Sequence, residues 1–176
     1  MHDASEPLIR PIRGDELEAV GSLTVGAYTA AYEIEPDGRY MRELGDVRGR
    51  FETHQVWVAE DALTGELLGT VTTPSPGERL SAFARDTDMD FRLLAVSPAA
   101  RGRGVGRALV EHCAGLARQR GATRLVLHTG DDMDLAVALY ERMGFERLPE
   151  IERDFPYPPG VWYPVRVYAK ALPPGV

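Results

Sequence analysis

Apolar residues in the first third of the chain change from strand-like to helix-like spacing. Residues 7–12 have the spacing of a short strand, and residues 17–27 then repeat apolar side chains at helical intervals. Asp15, with Glu18 three residues later, is typical of a capping box at the start of such a helix. A weaker helical pattern covers residues 40–51. This part of the chain therefore predicts one strand followed by two helices.

Strand patterns dominate the middle of the chain. Residues 55–61 and 66–73 are two β-like runs joined by a short turn, which predicts a hairpin. A polar loop over residues 74–90 leads to a nearly continuous apolar run at 91–98. A run of this kind predicts a strand that is buried on both faces.

Helices and strands alternate again in the last part of the chain. Residues 105–120 have an apolar stripe and end at Gly121, a residue typical of helix ends; the stripe consists of Val105, Leu109, Cys113 and Leu116. Residues 123–129 predict a buried strand, and 131–143 predict a helix capped by Asp131 or Asp132. Two strands around a proline-rich loop complete the chain.

The predicted order of elements is β-α-α-β-β-β-α-β-α-β-β. Its central strand, helix and strand, over residues 91–128, predict a right-handed parallel βαβ unit. The flanking elements favour antiparallel pairing, so we expect a mixed α/β sheet with helices on both faces. The length of 176 residues suits one domain over 1–176, with no internal repeat or long linker.

Composition narrows the function classes. A formal net charge of -7 argues against nucleic-acid binding, and it is compatible both with a cationic substrate and with a simple role in solubility. The single cysteine suits a reducing compartment, and no Cys/His cluster has metal-ligand spacing. The chain has neither an 18-residue apolar run nor the apolar core of a signal peptide. We therefore expect a cytoplasmic protein without metal or membrane span.

The segment "PAARGRGVGRAL", residues 98–109, joins a predicted strand to a predicted helix. Backbone N–H groups at a helix start bind anions, above all phosphates, and arginines can pair with them. Neither the dinucleotide fingerprint G-x-G-x-x-G nor the nucleotide loop G-x-x-x-x-G-K-[ST] fits these residues. The pattern that remains is R-x-x-G-x-G, at Arg101, Gly104 and Gly106. A helix start with permissive glycines and no ligand is the alternative.

The surrounding sequence resembles a known family. The stretch "FRLLAVSPAARGRGVGRALVEHCAGLARQRGATRLVLHT", followed by "ALYERMGF", is similar to the GCN5-related N-acetyltransferase (GNAT) superfamily. The similarity pairs the R-x-x-G-x-G loop with L-Y-x-x-x-G-F at residues 139–145. It implies a GNAT-like fold, in which strand 91–97 diverges from strand 124–128 and opens a V-shaped cleft.

The same resemblance implies acetyl-CoA as the acetyl donor. Backbone groups of the first diverging strand would pair with the pantetheine arm and the thioester carbonyl, at Leu94, Ala95 and Val96. The following loop would wrap the pyrophosphate mainly through its N–H groups; its residues are Arg101, Gly102, Arg103, Gly104, Val105, Gly106 and Arg107. The arginine side chains would then contribute less than their number suggests.

Transfer to an amine needs two proton movements, one from the amine and one to the departing thiolate. The resemblance implies that Tyr140 protonates the thiolate; binding the sulfur, or packing in the core, are the alternatives. It also places Asp90 where many relatives have an acidic residue, which makes it a candidate base acting through water. The neighbouring Asp86 and Asp88 are equally compatible with a solvated loop.

Further residues are candidates for binding the acceptor. His128 ends the second diverging strand and could face the cleft, and Glu33 and Glu35 follow the first helix, where a cationic substrate could bind. Tyr157 lies in an aromatic loop that could line the acceptor pocket, contact a second copy of the chain, or simply pack; its other aromatics are Phe155, Trp162 and Tyr163. Cys113 is interpreted as a small buried hydrophobe.

One position departs from the family pattern. The asparagine that often contacts the pantetheine arm would lie at 133 or 134, where this chain has methionine and aspartate. Methionine cannot make that hydrogen bond. The resemblance as a whole implies transfer of an acetyl group to a primary amine of a small molecule or peptide, by direct attack in a ternary complex. A non-catalytic acyl-CoA sensor and a transferase for longer acyl groups are the alternatives.

Overall fold

The computed structural model of the chain describes residues 6–33, 38–156 and 162–174. Five α-helices lie in these residues: α1 Leu17–Ala31, α2 Arg39–Gly45, α3 Val47–Thr53, α4 Val105–Gln119 and α5 Asp134–Arg142. Single 3₁₀ turns cover Pro98–Ala100 and Pro149–Ile151. Ten strands accompany them: β1 Leu8–Pro11, β2 Gln55–Glu60, β3 Leu67–Thr73, β4 Asp88–Asp90, β5 Arg92–Val96, β6 Arg124–Gly130, β7 Glu146–Arg147, β8 Phe155–Pro156, β9 Trp162–Tyr163 and β10 Val165–Ala171.

The main strands form two four-stranded sheets. The first has the order β1-β2-β3-β5 and is antiparallel throughout. The second has the order β4-β6-β10-β7, in which β4 and β6 are parallel and the other pairs are antiparallel. The two short strands β8 and β9 pair with each other. The predicted mixed α/β architecture is confirmed.

The strand predicted over 91–97 is β5, and a separate strand, β4, precedes it at the end of the predicted polar loop. β4 pairs with β6 in the second sheet, whereas β5 pairs with β3 in the first. The chain therefore changes sheets at Phe91, and the two sheets diverge from that point. Burial of this strand on both faces is contradicted, because Leu94 and Val96 are only half-buried and line the space between the sheets.

The largest core lies between α4, α5 and the strands. The predicted apolar stripe of α4 is confirmed at Val105, Leu109 and Cys113, which are all buried. On α5, Tyr140 packs against Phe91, with ring centroids 5.9 Å apart. Because Phe91 is the residue at which the sheets separate, this contact fixes α5 against the point of the divergence.

The predicted helix caps differ from those in the structure. Asp15 was the predicted cap of α1, but the helix begins at Leu17 after Glu16, and no side chain caps it. The Glu16 carboxylate instead accepts hydrogen bonds from the Arg10 guanidinium at 2.9 and 2.6 Å. α5 likewise begins at Asp134 after Met133, without a side-chain cap. The helix predicted over 40–51 is two helices, since Asp46 caps α3 by accepting from the Gly49 N–H.

Candidate active site

A cleft of about 1140 Å³ lies where the two sheets diverge. One wall comes from the end of α1 and the start of α2, and another from α5. β5 and the last residues of β6 form the surface between them, and residues 101–107, the donor loop, close one end. The cleft thus brings together segments that are far apart along the chain.

Several backbone N–H groups of the donor loop form no hydrogen bond within the described protein. Gly102 and Gly104 have φ values of 77° and 78°, in the left-handed region that favours glycine. The N–H groups of Gly102, Gly104, Val105, Gly106 and Arg107 form no hydrogen bond with any described residue. Several of these groups belong to the first turn of α4, where the helix dipole favours an anion. The loop is therefore suited to hold a phosphate group.

Gly106 has a different reason to be glycine. A Cβ atom at this position would lie 3.2 Å from Cδ2 of Leu139 and 3.5 Å from Cγ2 of Val96. A larger side chain would therefore push α4 away from α5 and β5. The two glycines of the R-x-x-G-x-G pattern thus do separate work: Gly104 provides a backbone conformation, and Gly106 permits close packing.

The three arginines of the donor loop all have partners within the protein. Arg101 donates from Nη2 to the carbonyl oxygen of Ala27 on α1, at 3.1 Å. Arg107 pairs with Glu111 one turn along α4, at 2.8 Å. Arg101 and Arg107 line the cleft.

Arg103 is directed elsewhere. Its guanidinium pairs with Asp61 of the β2–β3 turn at 2.9 Å, and it is not among the residues that line the cleft. The hydrogen bond from Arg103 is the main reason that the pKa of Asp61 falls to about 2. The three arginines that are close in sequence therefore do not form one basic cluster.

β5 contains a bulge at the floor of the cleft. Its pairing with β3 shifts between Thr70 and Thr72, so Leu93 and Leu94 have no partner in this ladder. Leu93 has a φ of 56°, a conformation that is costly for a residue with a Cβ. This residue was not identified from the sequence, because leucine gives no signal for a left-handed backbone. The bulge therefore interrupts the β3–β5 ladder at Leu93 and Leu94, at the floor of the cleft.

Tyr140 lies in the cleft and is largely buried. Its side chain is 5% exposed, and its ring packs against Phe91 and against Phe145, 5.8 Å away. Burial raises the pKa of the Tyr140 hydroxyl above its usual value near 10. The hydroxyl therefore stays protonated at neutral pH and can donate a proton or a hydrogen bond.

Asp90 is not placed in the cleft. Its side chain is 1% exposed, and its carboxylate accepts hydrogen bonds from the N–H groups of Leu80, at 3.0 Å, and Ser81, at 2.8 Å. Burial raises the pKa of Asp90, and these two hydrogen bonds oppose the rise. Asp90 therefore anchors the loop before β4. Asp88 forms an ion pair with Arg124 at 2.9 Å, and Asp86 lies exposed 3.5 Å from Arg79.

His128 does line the cleft, as its position at the end of a strand suggested. Its ring lies 5.2 Å from that of Phe83. Burial and, to a smaller extent, the charge of Arg92 lower the pKa of His128 to about 3. The imidazole is therefore neutral at physiological pH, so it can exchange hydrogen bonds but holds an extra proton weakly.

Three tyrosines form the wall opposite α5, here named the tyrosine wall: Tyr28, Tyr32 and Tyr40. The ring centroids of Tyr28 and Tyr32 are 5.9 Å apart, and those of Tyr28 and Tyr40 are 6.3 Å apart. All three residues line the cleft. Sequence reasoning missed them; the four-residue spacing of Tyr28 and Tyr32 at the end of the predicted helix was the available signal.

Carboxyl groups surround the mouth of the cleft. Glu33 lines it, as expected from the sequence, together with Glu43, Asp131 and Asp132, which were not singled out. The candidates Glu35 and Tyr157 lie outside the described residues. Of the other aromatics in that loop, Phe155 lies in β8, and Trp162 and Tyr163 form β9.

Two further sequence interpretations concern Met133 and Cys113. Met133 lines the cleft, with its Cγ 3.4 Å from where a Cβ on Gly130 would be. Cys113 is fully buried, and burial raises the pKa of its thiol, in keeping with a structural role.

Within residues 6–33, 38–156 and 162–174, no group of acidic, histidine or cysteine side chains could hold a metal ion. In the same ranges, the helices are too short or too polar to cross a bilayer.

Comparison with known proteins identifies similar sequences. The family model described as "Acetyltransferase (GNAT) family" matches residues 17–145. A mycothiol acetyltransferase from Beutenbergia cavernae is 29% identical over 139 residues. The match covers 78% of this chain and 44% of that protein, so this chain corresponds to less than half of its curated relative.

Solved structures share the fold at low sequence identity. A GCN5-related N-acetyltransferase from Rhodopseudomonas palustris superposes with a TM-score of 0.71 at 20% identity, covering 96% of this chain and 97% of that one. The ribosomal-protein-S18-alanine N-acetyltransferase from Escherichia coli gives 0.66 at 19%, covering 96% of each chain. The yncA protein of Salmonella typhimurium, solved with its cofactor acetyl-CoA, gives 0.62 at 20%, covering 98% and 97%.

Proposed function

The chain belongs to the GNAT acetyltransferase family, and from that premise we propose that it transfers an acetyl group from acetyl-CoA to a primary amine of a small molecule or peptide. One observation carries this proposal. The cleft runs without interruption from the unpaired N–H groups of the donor loop, along the bulged strand β5, to the hydroxyl-bearing Tyr140. This is the order in which pyrophosphate, pantetheine and thioester follow one another in acetyl-CoA.

The donor end binds the pyrophosphate through backbone groups. The N–H groups of Gly102 and of Gly104 to Arg107 donate to phosphate oxygens, since the protein leaves them unpaired. Arg107 lies at the same end and adds positive charge. Leu94, Ala95 and Val96 offer backbone groups to the pantetheine arm. Arg103 acts on the loop from outside the cleft, through Asp61.

The transfer itself forms one bond and breaks another. The amine nitrogen attacks the thioester carbonyl carbon, the C–N bond forms, and the C–S bond breaks as the thiolate of CoA departs. Tyr140, whose hydroxyl is protonated at neutral pH, gives its proton to that sulfur and regains one from solvent before the next turnover. Backbone N–H groups of Leu93 and Leu94, where the bulge interrupts the ladder, are suited to stabilise the carbonyl oxygen as it gains negative charge.

The amine must also lose a proton. Asp90 lies outside the cleft and is engaged by Leu80 and Ser81, so we assign it a structural role. His128, with a pKa of about 3, orients the amine by hydrogen bonding and does not retain its proton. We assign removal of the proton to a water chain that reaches the carboxyl groups at the mouth of the cleft; these are Glu33, Glu43, Asp131 and Asp132.

An acceptor screen tests the proposed function. Acetyl-CoA is mixed with a panel of primary amines, including short peptides and amines related to mycothiol, and release of the free CoA thiol is followed. We expect release with a subset of the amines. Binding of CoA without release for any amine would favour the acyl-CoA sensor, and faster release from succinyl-CoA than from acetyl-CoA would favour the longer acyl group.

A further inference from the structure

The side chain of Arg101 connects the two ends of the cleft. It belongs to the donor loop, yet its guanidinium reaches the carbonyl oxygen of Ala27, 74 residues earlier in the chain. Ala27 is buried and immediately precedes Tyr28, the central residue of the tyrosine wall. A residue expected to bind phosphate is thus attached to the wall that faces the acceptor.

This contact differs from those of the other two arginines. Arg103 and Arg107 each pair with a carboxylate, Asp61 and Glu111. The ion pairs among the described residues include none with Arg101, which donates to a backbone carbonyl on another element. A backbone acceptor has a fixed position within its helix, whereas a side-chain carboxylate can follow a moving partner. The Arg101 contact therefore fixes α1 relative to the donor loop.

The guanidinium of Arg101 also acts on a second residue of the wall through its charge. Burial raises the pKa of the Tyr32 hydroxyl, and a hydrogen bond with the backbone of Ala136 on α5 and, to a smaller extent, the charge of Arg101 oppose the rise. The hydrogen bond to Ala27 is therefore the contact that attaches the wall to the donor loop.

We propose that Arg101 is a positioning residue that transmits binding of the donor to the acceptor side of the cleft. The inference rests on the proposed function, because the donor is taken to be a CoA thioester. When the pyrophosphate binds the backbone of the donor loop, the loop loses freedom, and Arg101 imposes its position on α1. Coupling of this kind is reciprocal, so an acceptor that fits the tyrosine wall tightens donor binding by the same factor.

The test uses hydrogen exchange with free CoA as the probe, so that no acceptor needs to be known. In the wild-type chain, CoA is expected to slow exchange both in the donor loop and in residues 24–33. In Arg101→Met, slowing in the donor loop persists, slowing in residues 24–33 is lost, and the Kd for CoA changes by less than about threefold. Arg101→Lys, which keeps the charge but lacks the guanidinium, is expected to behave in the same way.

Arg118→Met is the matched control, because it removes an exposed arginine from the far end of α4. It should reproduce the wild-type exchange pattern in both segments. Two results would overturn the inference: slowing in residues 24–33 that survives in Arg101→Met, or a rise in the CoA Kd of more than about tenfold, as expected for a phosphate ligand. If the wild-type chain binds no CoA, the proposed function fails and this inference with it.

Discussion

The donor end of the cleft is made from one short segment, whereas the acceptor end is assembled from four distant ones. Five backbone N–H groups within seven consecutive residues supply the hydrogen-bond donors of the loop. The opposite end combines α1, α2, the start of β5 and the end of β6, and it presents side chains instead of backbone. A ligand site made of backbone groups depends on local sequence, so its glycines allow it to be predicted. A site made of side chains from distant segments depends on the topology of the fold, so the sequence alone does not predict it.

Gly104→Glu should have the largest effect of the substitutions, and it should act at the donor end alone. The substitution strains a backbone at φ 78° and directs a carboxylate into open space that we assign to phosphate. We expect the Kd for CoA to rise by about 100-fold or more, measured by calorimetry. Gly65→Glu is the matched control, since Gly65 also has a positive φ, of 73°, and open space, but lies in the β2–β3 turn. Equal CoA affinity in the two variants would remove the donor loop from the binding site.

Tyr140→Phe acts where the two ends meet. It removes the proton donor while keeping the ring against Phe91, so kcat should fall by about 100-fold with little change in the CoA Kd. Because burial raises the pKa of Tyr140, its hydroxyl should not ionise as the pH rises to about 10, and the wild-type kcat should not fall for that reason. Tyr168→Phe is the control: its buried hydroxyl bonds to Glu141 at 3.3 Å, outside the cleft. A Tyr140→Phe rate equal to that of wild type would exclude the acid role.

Asp90→Asn tests whether Asp90 has a structural role in the loop before β4 or a catalytic role as the base. The amide oxygen can replace Oδ2, which accepts from both Leu80 and Ser81, but an amide nitrogen replaces Oδ1 and the negative charge is lost. Hydrogen bonds to a charged acceptor are stronger, so the free energy of unfolding should fall by about 2 kcal/mol. That corresponds to a decrease in Tm of roughly 4–8 °C. The pH dependence of kcat should match that of wild type. If Asp90→Asn instead kept the wild-type Tm but no longer showed the decrease of kcat at acidic pH, Asp90 would be identified as the base.

Tyr28→Leu should have the smallest effect and should appear at the acceptor end only. Loss of the central ring of the wall removes its contacts with Tyr32 and Tyr40. The acceptor KM should rise by about tenfold while the CoA Kd stays the same, because an aromatic contact contributes about 1 kcal/mol. Tyr28→Phe keeps the ring and separates its contribution from that of the hydroxyl. A change in the CoA Kd without a change in the acceptor KM would place Tyr28 at the donor end.

Sequence periodicity predicted the elements that carry the donor end. α4, α5 and the hairpin of β2 and β3 each have local patterns, and Gly121 and Gly144 follow α4 and α5 with φ values of 75° and 83°. The helix caps were less predictable, because a carboxylate near a helix start can bind either the helix N–H groups or a cation from a distant part of the chain. Glu16 pairs with Arg10 from β1, a contact that position in the sequence does not reveal.

The acceptor end was predicted only in part, for reasons of geometry. Glu33 and His128 do line the cleft, whereas Asp90 points to the loop at Leu80 and Ser81. Successive residues of a strand face opposite sides, so a shift of one position decides whether a side chain reaches the cleft. The left-handed conformation of Leu93 follows from the bulge opposite β3, which no property of leucine predicts.

The separation of β4 from β5 leaves two strand edges facing each other. β5 is the outer strand of its sheet, and β6 pairs on this side with β4 only as far as Val126. Exposed edges of this kind are templates for aggregation, and proteins usually blunt them with charge or proline. Here the walls of the cleft shield the edges from other chains while admitting a narrow ligand. An extended donor lying between them would act as a removable strand that bridges the two sheets.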